Sequence, residues 1–271
     1  TVRIGGGYQG READIANADA TLVATGAQLR ADALQRGDGG RVVVWSDGHT
    51  RFAGSASVRG GRGGGDGGLV ETSGKGSLDV AGRVDARTAH GKTGTWLLDP
   101  TNIDVVASGG GDTTLDNADQ FGDATPSVAR SKVDVDLIEA ATADVVLQAT
   151  NDIVFETAVT MTTGVDLTAQ AGRNIDVKNA VAASGGGNIR FSANDQSPGS
   201  GATGVGRVSI TAAVSGGATG TVTVTNNGSS NANVLGAGSS ISGALGVTLT
   251  GDTTLGATAS VGAGSGGVRF E

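Results

Sequence analysis

The side chains of this chain that could do chemistry are few: two histidines, a recurring set of aspartates, a group of arginines and three large aromatics. His49 and His90 could serve as metal ligands or as an acid/base pair, but only if they converged with carboxylates such as Asp47 or Asp85. They stand 41 residues apart, each beside glycine, and the simpler reading places both in exposed turns with no metal ligand assigned. Asp79, Asp104, Asp152 and Asp176 invite comparison with the paired carboxylates of polysaccharide-active enzymes. They recur with a repeat, however, which suits turn or outward positions better than one catalytic pair. No catalytic residue and no cofactor is assigned, and the chain is expected not to be an enzyme.

Two acidic glycine-rich stretches, Gly64-GDGG and Gly110-GDTTLDNADQ, suggest calcium, but the nonapeptide period of calcium-binding β-rolls is missing. Weak cation binding near Asp112–Asp123 stays open beside the simpler reading of a solvated acidic loop. Arg59, Arg62, Arg83, Arg87 and Lys92 could line up across neighbouring units as a basic stripe for sulfated glycans. Pairing with nearby Asp and Glu is the favoured alternative. Trp45, Phe52 and Trp96 could stack on sugars if exposed; parity puts Trp96 inward and makes Trp45 the surface aromatic.

The elements that would have to position these groups are repeats. Gly40-RVVVWSDGHTRFAG, Gly68-LVETSGKGSLDVAG and Gly94-TWLLDPTNIDV each pair a short apolar strand with a second alternating stretch. From Val42 to Val70 is 28 residues, from Val70 to Trp96 is 26, and from Phe52 to Val80 is again 28. Further on, Val145-VLQATNDIVFETAV and Leu167-TAQAGRNIDVKNAV superimpose at an offset of 22, matching Ile153 with Ile175 and Phe155 with Val177. A repeat of this length marks a solenoid, whose units bury their apolar faces only on their neighbours. Alternation of apolar with Thr, Ser, Asp or Asn residues gives strands with one buried face.

Composition agrees. Aromatics are 3% of the chain and methionine occurs once, so Val, Ala, Leu and Ile must fill a narrow, layered interior. Glycine supplies 49 residues, gathered where strands end, as turns require. The absence of cysteine excludes disulfides and thiolate metal sites. A net charge of −8 argues against a sequence-independent nucleic-acid binder. No run approaches the roughly 18 apolar residues of a membrane span, and a chain that opens at Thr1 reads as a piece of something longer.

Residues 1–105 form the best-defined repeats, residues 106–144 a loop excursion followed by a short helix near 134–142, and residues 145–271 further repeats with a second excursion near 195–207. The inward ladder positions are Val42, Val70, Trp96, Phe52, Val80, Ile153, Ile175, Phe155 and Val177.

Gly94-TWLLDPTNI and the phrase Gly-Gly-x-Val-Glu-x-Ser-Gly at 67–74 resemble the filamentous haemagglutinin-like large exoproteins of Gram-negative bacteria, which leave the cell by two-partner secretion. The resemblance covers about residues 1–105. It implies an all-β fold, a right-handed parallel β-helix, whose coils the repeat spacing sets at about 21–28 residues, and a secreted, surface-associated adhesin. It also implies an outer-membrane transporter as partner of the parent protein, and surface glycans or proteins of host or neighbouring cells as targets. The family's secretion domain is not evident in this sequence, so the chain reads as shaft, with end-to-end self-association as the alternative and no nucleic-acid partner.

Overall fold

The structure, a computed structural model, describes residues 1–111, 130–197 and 204–271. The chain winds as a parallel β-helix of ten coils. One ten-stranded sheet takes a strand from each coil, beginning with Val2–Ile4, Arg41–Val44, Leu69–Thr72 and Thr95–Leu98, continuing from Asp144–Ala149, and closing with Val268–Phe270. All pairings in it are parallel.

Two other faces complete each coil. The second face carries Ala20–Val23, His49–Phe52 and Ser77–Val80 as a three-stranded sheet, then a seven-stranded one; the third carries Gln28–Arg30, Ser55–Ser57 and Arg83–Asp85, then a five-stranded one.

Like residues pile up between the faces. Val42 pairs with Val70, Val70 with Trp96, Trp96 with Val145, and the row runs on through Leu167, Ile189, Val222 and Val247, all buried. On the second face Phe52 pairs with Val80, Ile153 with Ile175 and Phe155 with Val177. Each fully buried Val, Leu or Ile contributes about 1.5–3 kcal/mol by leaving water. Trp96 would bring a stranded indole N–H into this interior, but Nε1 donates to the buried Thr72 Oγ1 at 2.9 Å. Phe155 and Phe191 meet at 5.5 Å between ring centres, tilted by 51°.

Glycine at the start of the long-sheet strands has a steric cause. A Cβ on Gly68 would collide with the Gly40 carbonyl oxygen, and one on Gly94 with that of Gly68, so the three backbones can stack only without side chains.

Coil 4 departs from the regular winding by an added strand and a helix. After Ile103–Val106 the next described strand is Ser131–Asp134, parallel to Ile103–Val106 on the side away from Ile153–Phe155. The second face thus gains a strand, seated against coil 3, where the Leu78 N–H donates to Ser131 Oγ at 2.9 Å. On the third face a helix, α1 (Val135–Glu139), stands between Arg83–Asp85 and Val159–Thr160. It is shorter than the expected 134–142. Asp134 caps it by accepting the Asp136 N–H at 2.9 Å, and Val135 and Ile138 face the core. Most of the expected excursion at 108–131 and the centre of that at 195–207 lie outside the described residues. Among the described residues no helix is long and apolar enough to cross a membrane.

Candidate functional site

Short Asp and Asn side chains recurring with the coils stitch them together, and of the four aspartates singled out by the repeat Asp152 is one of these. Asp144 Oδ1 accepts the Asp166 N–H at 2.9 Å, Asp166 Oδ1 the Asn188 N–H at 2.8 Å, and Asn188 Oδ1 the Thr221 N–H at 2.9 Å. A second line climbs from Asn102 to Asp152 to Asn174 to Arg207, and a third from Asp38 to Asp66 to Lys92. A short Asx side chain at the turn before a strand captures the amide one coil above it, which regular strand pairing leaves over. This is why the residue recurs at the repeat length.

Asp79 and Asp104 sit in ion pairs, with Arg51 at 3.1 Å and Arg130 at 2.6 Å, and Asp152 adds one with Arg173 to its place in the second line. Burial would raise the Asp152 carboxyl, but the Arg173 guanidinium and the Asn174 amide outweigh it and hold it below its ordinary value. Asp176 stands outward on Ile175–Val177, half-buried and raised, first by that burial and then by Asp152.

His49 is not an exposed turn residue. It belongs to the strand His49–Phe52, is half-buried, and its Nδ1 meets Ser77 Oγ; burial lowers its pKa. The turn ends one residue earlier, because alternation with Thr50 and Phe52 carries His49 into the sheet. His90 is exposed. Among the described residues no group of three His, Asp or Glu could hold a metal. The calcium reading of Asp112–Asp123 falls outside the described residues.

Trp45 also departs from expectation. It does face outward, yet it is only 4% exposed, because residues 5–18 fold back over the outer face of the long sheet. Gly6 and Gly10 lie flat on its ring; a Cβ on Gly10, whose φ is +63°, would come within 2.6 Å of the indole. The Trp45 N–H is accepted by the Ile4 carbonyl at 3.0 Å, and the Asp47 N–H by that of Ala18 at 2.9 Å. This strap also buries Val43, Glu71 and Leu97, three outward residues in adjacent coils.

Glu71 and Asp99 lie beneath the strap, and Gln9 ties it to both. The Gln9 N–H donates to the two Glu71 carboxyl oxygens at 3.1 and 3.0 Å, and its Nε2 reaches Gln148 Oε1 at 2.9 Å and Asp99 Oδ2 at 3.5 Å. Gln9 has φ +52°, a left-handed conformation held by these contacts together with the turn bonds from the Gly10 and Arg11 N–H groups to the Gly7 and Tyr8 carbonyls. Burial lifts Glu71 to about 8, with Asp99 adding to the rise, and burial lifts Asp99 to about 7. Glu71 therefore stays protonated at neutral pH and needs no counter-cation. The repeat pattern does not point to this pair, although Arg41-VVVW, apolar without alternation, signals a strand buried on both faces.

One concavity lies at the break in coil 4. A cleft of about 420 Å³ runs across the three-stranded part of the third face to α1. Arg30, Arg59, Arg83 and Arg87 line it with Asp85 and Asp136, beside the apolar Leu137 and Ala141. Three of the five cations expected to form a stripe meet here; Arg62 and Lys92 lie in other parts of the surface. Arg59 pairs with Asp32 at 3.1 Å and Arg87 with Asp85 at 2.7 Å. Arg30 donates to the neutral Gln28 Oε1 at 2.6 Å, and neither Arg30 nor Arg83 has a carboxylate partner among the described residues. No protein-family model matches the chain, and neither does any curated protein.

Proposed function

We propose that the chain is a shaft: a structural segment of a secreted, surface-associated filamentous adhesin that holds binding regions away from the cell. The observation that carries this reading is the ten-stranded sheet, which passes through every coil and across the break in coil 4 without losing register. Ten rungs at about 4.8 Å each give a rod on the order of 50 Å long. Stacking along one axis spreads stability over neighbour contacts, and the Asx lines tie each coil to the next. Such a body transmits position and load. The resemblance of residues 67–74 and 94–102 to exported exoproteins adds the compartment and the outer-membrane transporter as partner of the parent protein.

The test is to remove one coil. Deleting residues 167–188 joins Asp166 to Ile189 at a 22-residue repeat and keeps both Asx and inward rows in phase. The shortened chain should fold, and small-angle scattering should find the rod shorter by about 5 Å. A chain that unfolds or keeps its length, or intact protein that degrades any of a panel of acidic and neutral polysaccharides, would overturn the shaft reading.

A further inference from the structure

We propose that the arginine-lined cleft at the break in coil 4 binds an extended acidic peptide segment, which adds as a strand beside Arg83–Asp85. This goes beyond the shaft reading and does not depend on it.

Three observations converge. The first is a strand edge inside the rod. The third-face sheet of coils 1–3 stops at Arg83–Asp85, and the next, five-stranded sheet begins at Val159–Thr160. Arg83 and Asp85 spend their backbone groups on coil 2: the Arg83 N–H goes to the Gly54 carbonyl at 3.1 Å, and the Asp85 carbonyl takes the Val58 N–H at 2.9 Å. In a parallel strand the residue between them turns its N–H and C=O the other way. There the Val84 carbonyl meets a side chain, the Thr142 hydroxyl at 3.2 Å, where every other coil of this face offers a strand. A peptide N–H has one part-buried hydroxyl to displace there.

The second observation is charge. Four arginines face two aspartates across the cleft, in a chain whose net charge is −8. Arg59 and Arg87 are paired already, but Arg30 and Arg83 are exposed and hold no carboxylate among the described residues. Their guanidinium groups can each take a carboxylate in bidentate geometry.

The third is polarity on the opposite wall. Leu137 and Ala141 of the α1 region line the cleft, so one side favours apolar groups and the other anions. An extended peptide presents alternate residues to opposite sides and supplies backbone for the strand edge, which a sulfated or uronate sugar chain cannot do. Alternating acidic and apolar residues therefore fit best.

The experiment is fluorescence anisotropy of the intact chain with a labelled alternating Glu/Val octapeptide. A Lys/Val octapeptide, the Glu/Val peptide N-methylated at every other amide, and heparin and polyglucuronate oligosaccharides serve as comparisons. Saturable binding of the Glu/Val peptide is expected, weakened by salt. Arg83→Glu should reduce affinity at least about tenfold and Arg83→Gln less, with the thermal transition unchanged because Arg83 is exposed. N-methylation should also cost at least about tenfold, since it removes the strand hydrogen bonds. Failure to saturate by about 1 mM peptide, or affinity unchanged in both Arg83 variants, would overturn the proposal. Equal binding of the N-methylated peptide, or binding of the sugars alone, would overturn it in favour of a polysaccharide.

Discussion

The long sheet has two halves that share an interior and differ outside. In coils 2–4 its outward residues Val43, Trp45, Glu71 and Leu97 are buried under residues 5–18, so the strands are covered on both faces. In coils 6–9 the corresponding row, Thr168, Arg190, Thr223 and Thr248, is partly or fully open to solvent. Inward residues are the same kind in both halves. The difference is therefore written in the outward row alone, as Arg41-VVVW against Thr221-VTVTN, and it records whether a second layer lies on the sheet.

If the interior is common to both halves, a charge placed in it should be equally ruinous in either. Val177→Asp puts an unpaired carboxylate into a row where Val177 is fully buried beside Ile175's row and pairs with Phe155 and Ile210. A loss above about 4 kcal/mol is expected, read as collapse of the urea transition. Val70→Asp in the strapped half should match it. A Val177→Asp chain that melts like the parent would remove Val177 from the interior, and a large disparity between the two variants would end the idea of one shared core.

Much of this shared interior is legible in the amino-acid sequence alone. The steps of 28, 26 and 22 residues correspond to pairings such as Val42 with Val70, Val70 with Trp96 and Ile153 with Ile175, because stacked coils place equivalent residues one above another. The short helix announces itself in Val135 and Ile138, which lie one turn apart. Three features are not legible in this way. The strap is built from Gly5–Ala18, a stretch with no periodicity, and its partners are outward residues brought together only by stacking. The added strand Ser131–Asp134 is too short to distinguish from a loop. The cleft takes residues from coils 1, 2 and 3 and from α1, so no local pattern announces it.

The strapped half should have a vulnerability that the open half lacks. Trp45→Ala removes the ring on which Gly6 and Gly10 lie, and a cost of about 3–5 kcal/mol is expected, much of it local. Limited proteolysis should then cut between residues 5 and 18 while the remaining coils resist. In the open half, Thr223→Ala should stay within about 0.5 kcal/mol. Equal effects at Trp45 and Thr223 would mean that the strap contributes nothing to the stability of the sheet it covers.

Acidity should separate the halves as well, with a smaller and graded effect. Glu71 is faced by the Gln9 amide from the strap, by Asp99 and Ser73, and by the charge of Arg41, and Asp99 by that of Arg11; the Arg41 guanidinium lies over the Tyr8 ring at 4.8 Å. Its carboxyl is raised from 4.5 to about 8, and that of Asp99 from 3.8 to about 7. A carboxyl whose folded pKa exceeds its unfolded value binds more protons folded than unfolded in between. Stability contributed by the pair is thus complete below pH 3.8, falls as pH rises, and is lost once the pH has passed about 8. The loss falls on the strap, since opening it rehydrates both groups without unwinding a coil. Hydrogen exchange at the Gln9 amide should accelerate steadily from pH 5 to about 8 beyond the intrinsic base dependence, a loss on the order of 6 kcal/mol, while amides of coil 8, which has no titratable side chain, show no such excess. Glu71→Gln keeps the shape and removes the charge, so its excess should end near pH 7, where Asp99 finishes titrating. An identical profile in the variant would take Glu71 out of the argument, and a flat profile in both would mean that the strap does not sense protons at all.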